Sequence, residues 1–215
     1  MINRDYIMRM IEQLGRVVAK VLLLRESNQH LEAVDEIRKA GKLLLGLNAE
    51  AMDKLSDREL IMLWTVGGEL DAGKCSLAAG LFKTEGEILE HRGDTAKASA
   101  SFVKGLSLIV ETICSLKEDI PSEIKGTFSS LLQQFDSDSL SLDMRKKAFR
   151  ALVFIGNFAK AEDILFGIVH EDRTFVEEGK RFYGQLLKRT DKELNDGNLP
   201  RDEVVKSLAE LDNIR

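Results

Sequence analysis

Ala79-Gly-Leu-Phe-Lys-Thr-Glu-Gly-Glu-Ile-Leu-Glu-His-Arg-Gly-Asp-Thr-Ala-Lys-Ala-Ser-Ala-Ser-Phe-Val-Lys-Gly-Leu-Ser107 reads as two helices folded back on each other. Phe82 and Leu89 flank Gly86 on the first helix, and Gly93-Asp94 interrupts the pattern. Glycine just after a helix and an acidic residue just before the next are ordinary stop and start signals. Ala98, Phe102 and Gly105 then recur at the three/four spacing of one helix face. A small residue in the first turn of the second helix lets the two backbones approach. A larger apolar residue one turn later fills the gap. Gly86, seven residues before Gly93, supplies the matching small residue on the first helix.

The same turn recurs on both sides. Asn28 is followed by Ala33, Ile37 and Ala40, and Gly156-Asn157 by Ala161, Leu165 and Ile168. The offsets from the turn residue are five, nine and twelve each time. The rest of the chain also reads as helix. Ile7, Met10, Ile11, Leu14, Val17, Val18, Val21 and Leu24 place a stripe on a helix over 3–26, and a second runs from Leu31 to Leu45. Ser56 and Glu59 form a capping box opening a helix over 57–66, which Gly67-Gly68 interrupts. Further helices are expected at 71–91, 94–117, 122–134, 142–155, 157–170, 173–195 and 201–212, with Pro121 at a first turn. No segment alternates cleanly enough for a strand. The expectation is an all-α chain of about ten helices, packed as antiparallel hairpins joined by short turns. The polar run Asp136–Ser141 is expected to be a hinge between an N-terminal block, 1–135, and a C-terminal block, 142–215, of one helical-repeat domain.

The unit Ala79–Ser107 resembles the tetratricopeptide repeat. Phe82, Gly86, Leu89, Gly93-Asp94, Ala98 and Phe102 stand where that motif has its W-x2-L-G-x2-Y and A-x3-F residues. Glu85 departs from it, standing where the motif has Leu. Gly105 replaces a small Ala, no proline closes the unit, and the copies are 65 and 63 residues apart where that repeat has about 34. The opening Arg4-Asp-Tyr-Ile-Met-Arg-Met-Ile-Glu-Gln-Leu-Gly15 looks like the start of an uncharacterised bacterial family of predicted helical-repeat fold. The tetratricopeptide resemblance implies stacked hairpins in a right-handed superhelix with a peptide-binding concave face. The ligand-facing positions it implies include Lys83, Glu87 and Glu90 in the middle unit and Lys146 and Arg150 in the third.

Composition limits the function classes. Of 215 residues, 31 are basic and 36 acidic, and the net charge of −5 argues against wrapping a phosphate backbone. Two prolines stand where average usage gives about eleven, which fits an all-helical chain. Cys75 and Cys114 form no C-x-x-C, so they read as buried thiols. The apolar stretch Val17–Leu24 is broken by Lys20 and too short to span a bilayer, and no secretory pattern follows the N-terminus. A cytoplasmic protein without membrane or nucleic-acid contact is expected.

Gly68-Glu-Leu-Asp-Ala-Gly-Lys-Cys75 is one residue short of a phosphate-binding loop. Cys75 lacks the required hydroxyl, and Glu69 and Asp71 would bring negative charge to a phosphate. His30, His91 and His170 lack the acidic residue three positions earlier that a di-iron helix bundle uses. The basic runs Arg145-Lys-Lys147 with Arg150 and Lys180-Arg181 with Lys188-Arg189 read as solvated helix faces, or as a groove for an acidic peptide. The expected function is a non-enzymatic adaptor for a protein or peptide partner, with no catalytic residue, cofactor or metal. A nucleotide- or small-molecule-dependent enzyme built on Gly68–Cys75 is the first alternative, and a self-associating module that forms a homodimer is the second.

Overall fold

The computed structural model describes residues 2–136 and 139–212. They form two compact units, Met1–Gln134 and Phe135–Arg215. Among the described residues, 12 α-helices carry almost all the regular structure and the chain is 80% helical, so the fold is all-α. In the first unit the order is α1 (Ile2–Glu26), α2 (His30–Ala40), a π turn over Gly41–Leu45, α3 (Ala49–Lys54), α4 (Asp57–Leu63), the strands β1 (Thr65–Val66) and β2 (Glu69–Leu70), α5 (Ala72–His91), α6 (Thr95–Leu116) and α7 (Ser122–Leu132). In the second it is α8 (Leu142–Ile155), α9 (Phe158–Glu171), a 3-10 turn over Arg173–Phe175, α10 (Val176–Leu186), α11 (Asp191–Asp196) and α12 (Arg201–Asp212).

Three helical hairpins organise these units: α1 with α2, α5 with α6, and α8 with α9. One turn geometry closes all of them. Asn28, Gly93 and Gly156 are left-handed, at φ 56°, 80° and 83°. In the middle copy the Gly93 amide donates to the Glu90 carbonyl at 2.8 Å and the Asp94 amide to that of Leu89 at 2.9 Å. Asn28 with Gln29 and Gly156 with Asn157 repeat both bonds at the same spacings. This is the Schellman ending, which gives partners to carbonyls that the last helical turn leaves open. A fourth, at Asn198 and Leu199, joins α11 to α12.

Residues five, nine and twelve after the three hairpin turn residues are all buried. In the middle hairpin the Phe102 ring lies on Gly86, where an added Cβ would come within 2.4 Å of it. Gly105 faces the carbonyl of Ala79, 3.1 Å from an added Cβ. The buried side chains Leu77, Leu81, Leu106, Ile109 and Ile113 extend this packing along α5 and α6, with Ile124, Phe128 and Leu131 of α7 completing the layer. Helix α6 is long and apolar enough to cross a membrane by length and composition, and 56% of that window is buried in the fold. In the second unit Phe149, Phe175 and Phe182 stack edge-on, at ring separations of 5.5 and 5.3 Å around Phe149. Beside them the buried Tyr183 hydroxyl donates to Glu162 at 2.7 Å.

Local structure departs from expectation at four places. The helix begun at His30 widens into the π turn and stops at Gly46, which is left-handed, and α3 follows where no helix was expected. The helix from Asp57 ends at Leu63, because Thr65–Leu70 pairs as a two-stranded hairpin around Gly67-Gly68. Both glycines have positive φ, which the tight two-residue hairpin turn requires. The single helix expected over 173–195 is broken into three short elements. Asp94 holds the N-cap position of α6 without accepting a backbone amide, its carboxylate pairing with Lys97 at 3.1 Å instead. Of the expected hinge Asp136–Ser141, residues 137 and 138 lie outside the described residues. Ser139 bonds back to the Asp136 carbonyl, and Leu140 is buried.

Gly86 and Gly126 should respond oppositely to alanine. At Gly86 overpacking costs about 1–3 kcal/mol and helix propensity returns about 1 kcal/mol, leaving a net loss of up to about 2 kcal/mol. Gly126 lies exposed in α7 with open space around its Cα. There alanine should gain up to about 1 kcal/mol. Urea unfolding of Gly86→Ala and Gly126→Ala measures both signs. A stable Gly86→Ala would show that Phe102 does not pack on that backbone.

Candidate functional site

The residue types along three helix faces bring a mixed polar and apolar pocket together in the first unit. Phe82, Glu85 and Leu89 of α5 are three and four residues apart, as are Lys97, Ser101 and Lys104 of α6 and Leu31, Val34 and Arg38 of α2, so each set shares one face. With Met52 and Asp53 of α3 they line a cavity of about 460 Å³, within the range of ligand pockets. Phe82, Leu89, Val34 and Met52 make its apolar floor.

Two charged groups set into this floor have defined partners. The Lys104 ammonium donates to the carbonyls of Met52 and Asp53 at 2.8 and 2.9 Å, and it sits 5.5 Å from the centre of the Phe82 ring. Those carbonyls belong to the last turn of α3, where few amide donors remain for them within the helix. Glu85 is 5% exposed and accepts from the Ser101 hydroxyl at 3.1 Å. Burial pushes its carboxyl above the ordinary 4.5, with Asp53 adding to the rise and the Ser101 bond, Arg38 and Lys104 opposing it. Arg38 reaches Asp53 at 3.4 Å through one terminal nitrogen, while its Nε is buried without a hydrogen-bond partner. The pocket therefore presents an apolar seat, a buried carboxyl and an incompletely partnered guanidinium. Such a set can orient a ligand with both apolar and polar groups.

None of the five expected groove residues lines this cavity. Lys83 and Glu87 pair with each other along α5 on a different stripe, and Glu90 is exposed one turn further on. Lys146 and Arg150 belong to the second unit, where they meet over the Phe175 ring at 5.5 and 5.9 Å. Their charges are already engaged: Lys146 donates to Asp172 at 2.6 Å, and Arg150 holds Glu178 in a bidentate pair at 2.7 and 2.8 Å. Arg145 pairs with Glu171 through one terminal nitrogen. Arg150 also borders a second cavity of about 440 Å³ between α8 and α10, lined by Phe149, Phe154 and Phe182. Glu85 was visible in the sequence only as the residue out of place before Gly86.

The segment Gly68–Cys75 does not form a loop around a phosphate. Gly68 closes the β-hairpin, and Asp71 caps α5 by accepting the Lys74 amide at 3.0 Å. The Lys74 ammonium turns back to Asp71 at 3.7 Å, and the Tyr6 hydroxyl donates to the same carboxylate at 3.3 Å. Gly73 packs under the Tyr6 ring, and Cys75 is fully buried, its thiol pushed up to about 12 by burial. The first turn of α5 is thus occupied by the chain's own groups. The rings of His30 and His91 stand 5.3 Å apart, and no three His, Cys, Asp or Glu side chains gather around a common point among the described residues.

Two titrations test these surroundings. Since the Glu85 midpoint is raised, the folded chain keeps a proton that the unfolded chain releases above about pH 4.5, and stability falls as pH rises through the folded midpoint. Glu85→Gln removes that cost, so it should be more stable than the parent at pH 7 and lose its advantage near pH 4. Urea unfolding at the two pH values decides this, and a destabilised Glu85→Gln at pH 7 would contradict it. Asp172 shifts the other way, held down to about 2 chiefly by Lys146, with Thr174 helping. Its stabilising share is present above the ordinary 3.8 and is lost as pH falls towards 2. Carbon-detected NMR of the Asp172 carboxyl should read that low midpoint, and Lys146→Ala should return it towards 3.8.

No curated protein and no solved structure matches the chain. One family model does, over residues 1–215, so the chain belongs to a family of unknown function (DUF6483).

Proposed function

We propose that the chain is a non-enzymatic, tetratricopeptide-like adaptor that binds a peptide segment of a protein partner in the α2–α3–α5–α6 pocket and works in the cytoplasm. The observation that carries this reading is the buried Glu85 carboxyl set beside the Phe82–Leu89 floor of a cavity of about 460 Å³. A carboxyl in an apolar wall costs stability unless it is paired, and such groups are concentrated where a protein binds something. Acidic and basic groups both contribute to the lining: Asp35, Asp94, Arg92 and Lys97. A peptide side chain that is apolar, flanked by polar ones, fits that pattern. A nucleotide-dependent enzyme built on Gly68–Cys75 has less support, because Asp71 and Tyr6 fill the place a phosphate would take.

Display selection of random peptides on the full chain tests the proposal. The selected peptides should share an apolar anchor. Ala100→Trp, an exposed position on the pocket wall, should weaken them by about tenfold or more. Failure to select any peptide, or peptides indifferent to both Ala100→Trp and Phe82→Ala, would overturn it.

A further inference from the structure

The second unit holds a cavity that the peptide reading of the first pocket does not use. It lies between α8 and α10, with a volume of about 440 Å³, inside the range of small-ligand sites. Its base is aromatic. The buried rings of Phe149 and Phe182 meet edge-on, 5.3 Å apart at 76°. Phe154, further along α8, is 40% exposed, and the half-buried Val153 also lines the cavity. Covering such aromatic surface with a flat apolar ligand removes it from water, which is favourable. The rim carries two cations against one anion: Arg150, Arg181 and Glu178. Arg150 and Glu178 neutralise each other through their bidentate pair. Arg181 is exposed, and its Nε donates to the Glu177 carbonyl at 3.3 Å, leaving its two terminal nitrogens without a partner among the described residues. The charge left over at this rim is therefore positive, in a chain whose net charge is −5. Gln185 lies four residues on from Arg181, so its amide shares that helix face. A guanidinium and an amide one turn apart offer donors to both oxygens of a carboxylate.

We propose that this cavity binds a small aromatic carboxylate, its ring on Phe149, Phe154 and Phe182 and its charge on Arg181. Length selects a small molecule over a segment of protein. The apolar lining on α8 runs from Phe149 to Phe154, about 8 Å of helix. A docked helix anchored at i, i+4 and i+7 needs a seam of about 11 Å. A peptide added as a strand needs free backbone donors and acceptors on the groove wall. The lining residues of α8 and α10 lie within helices, whose backbone groups bond internally. The site shares no residue with the pocket on α2, α3, α5 and α6, so neither reading depends on the other.

NMR titration of the full chain with 2-naphthoate tests this. The acid should saturate with a dissociation constant of about 1 mM or below, and the amide shifts should centre on α8 and α10. Two controls separate charge from ring: 2-naphthalenemethanol, which lacks the charge, and decanoate, which lacks the ring, should each bind several-fold more weakly. Arg181→Ala should weaken 2-naphthoate by about tenfold and leave the alcohol unchanged, whereas Phe154→Ala should weaken both by about threefold. Both side chains are exposed, so the variants should keep the parent's circular dichroism spectrum. Ala100→Trp, in the wall of the first pocket, should leave 2-naphthoate binding unchanged. No saturation up to about 10 mM, or either control binding as tightly as 2-naphthoate, would overturn the proposal. So would shifts centred on α2 and α5, or binding indifferent to both Arg181→Ala and Phe154→Ala.

Discussion

The contact between the Phe102 ring and the bare backbone at Gly86 sets the spacing of α5 and α6, and the first unit is arranged around that pair. Glycine on one helix and a flat aromatic ring on the other allow a close approach that a larger residue on α5 would prevent. Gly105, against the Ala79 carbonyl, keeps the helices close further along. Helix α1 then seats on α5 through Gly73 and Gly80, and α7 packs against both α6 and α5. Because protein interiors are close-packed, a displacement at any of these points is felt by the neighbours.

The same pair explains the position of the pocket. α5 and α6 turn Phe82, Glu85 and Leu89, and Ser101 and Lys104, towards α2 and α3. The close spacing brings Ser101 within reach of Glu85, and Lys104 leaves the face to serve the carbonyls at the end of α3. A polar pair inside an apolar wall is therefore a by-product of where two helices meet, and it is also the feature that gives the wall chemical selectivity.

How far the sequence predicted this depends on how local each signal is. The hairpin turns were legible because a left-handed position marks itself with Gly or Asn, and the offsets five, nine and twelve follow from one helix period. The cap at Ser56 was legible for the same reason, since its partner lies three residues away. The π turn after α2 left no such mark, because nearby packing decides it; the helix α3 and the break after Leu186 carry marks of the same local kind, the Asn48 cap on the Ala51 amide and the Thr190–Glu193 capping box. Lys83, Glu87, Glu90, Lys146 and Arg150 were placed by resemblance, and resemblance does not say which lysine already has an aspartate beside it. The pairs Lys146–Asp172 and Arg150–Glu178 span 26 and 28 residues, beyond any local spacing rule. Glu85 broke a motif in plain view, but only the fold shows that Ser101 stands opposite it.

The Schellman turns also bear on how quickly this chain finds its structure. Each of the three hairpins brings together segments separated by only two or three residues at the turn, so the entropy of closing the loop is small. Chains dominated by such near-neighbour contacts fold on microsecond to millisecond scales. The α5–α6 hairpin needs no distant partner to close, whereas α1 must wait for it across α2, α3, α4 and the β-hairpin. On a ribosome the order of synthesis runs the other way. The face of α1 that carries Tyr6 and Leu14 precedes α5 in the chain and stays uncovered by it until His91 has been added, a period in which a nascent chain is most in need of a chaperone.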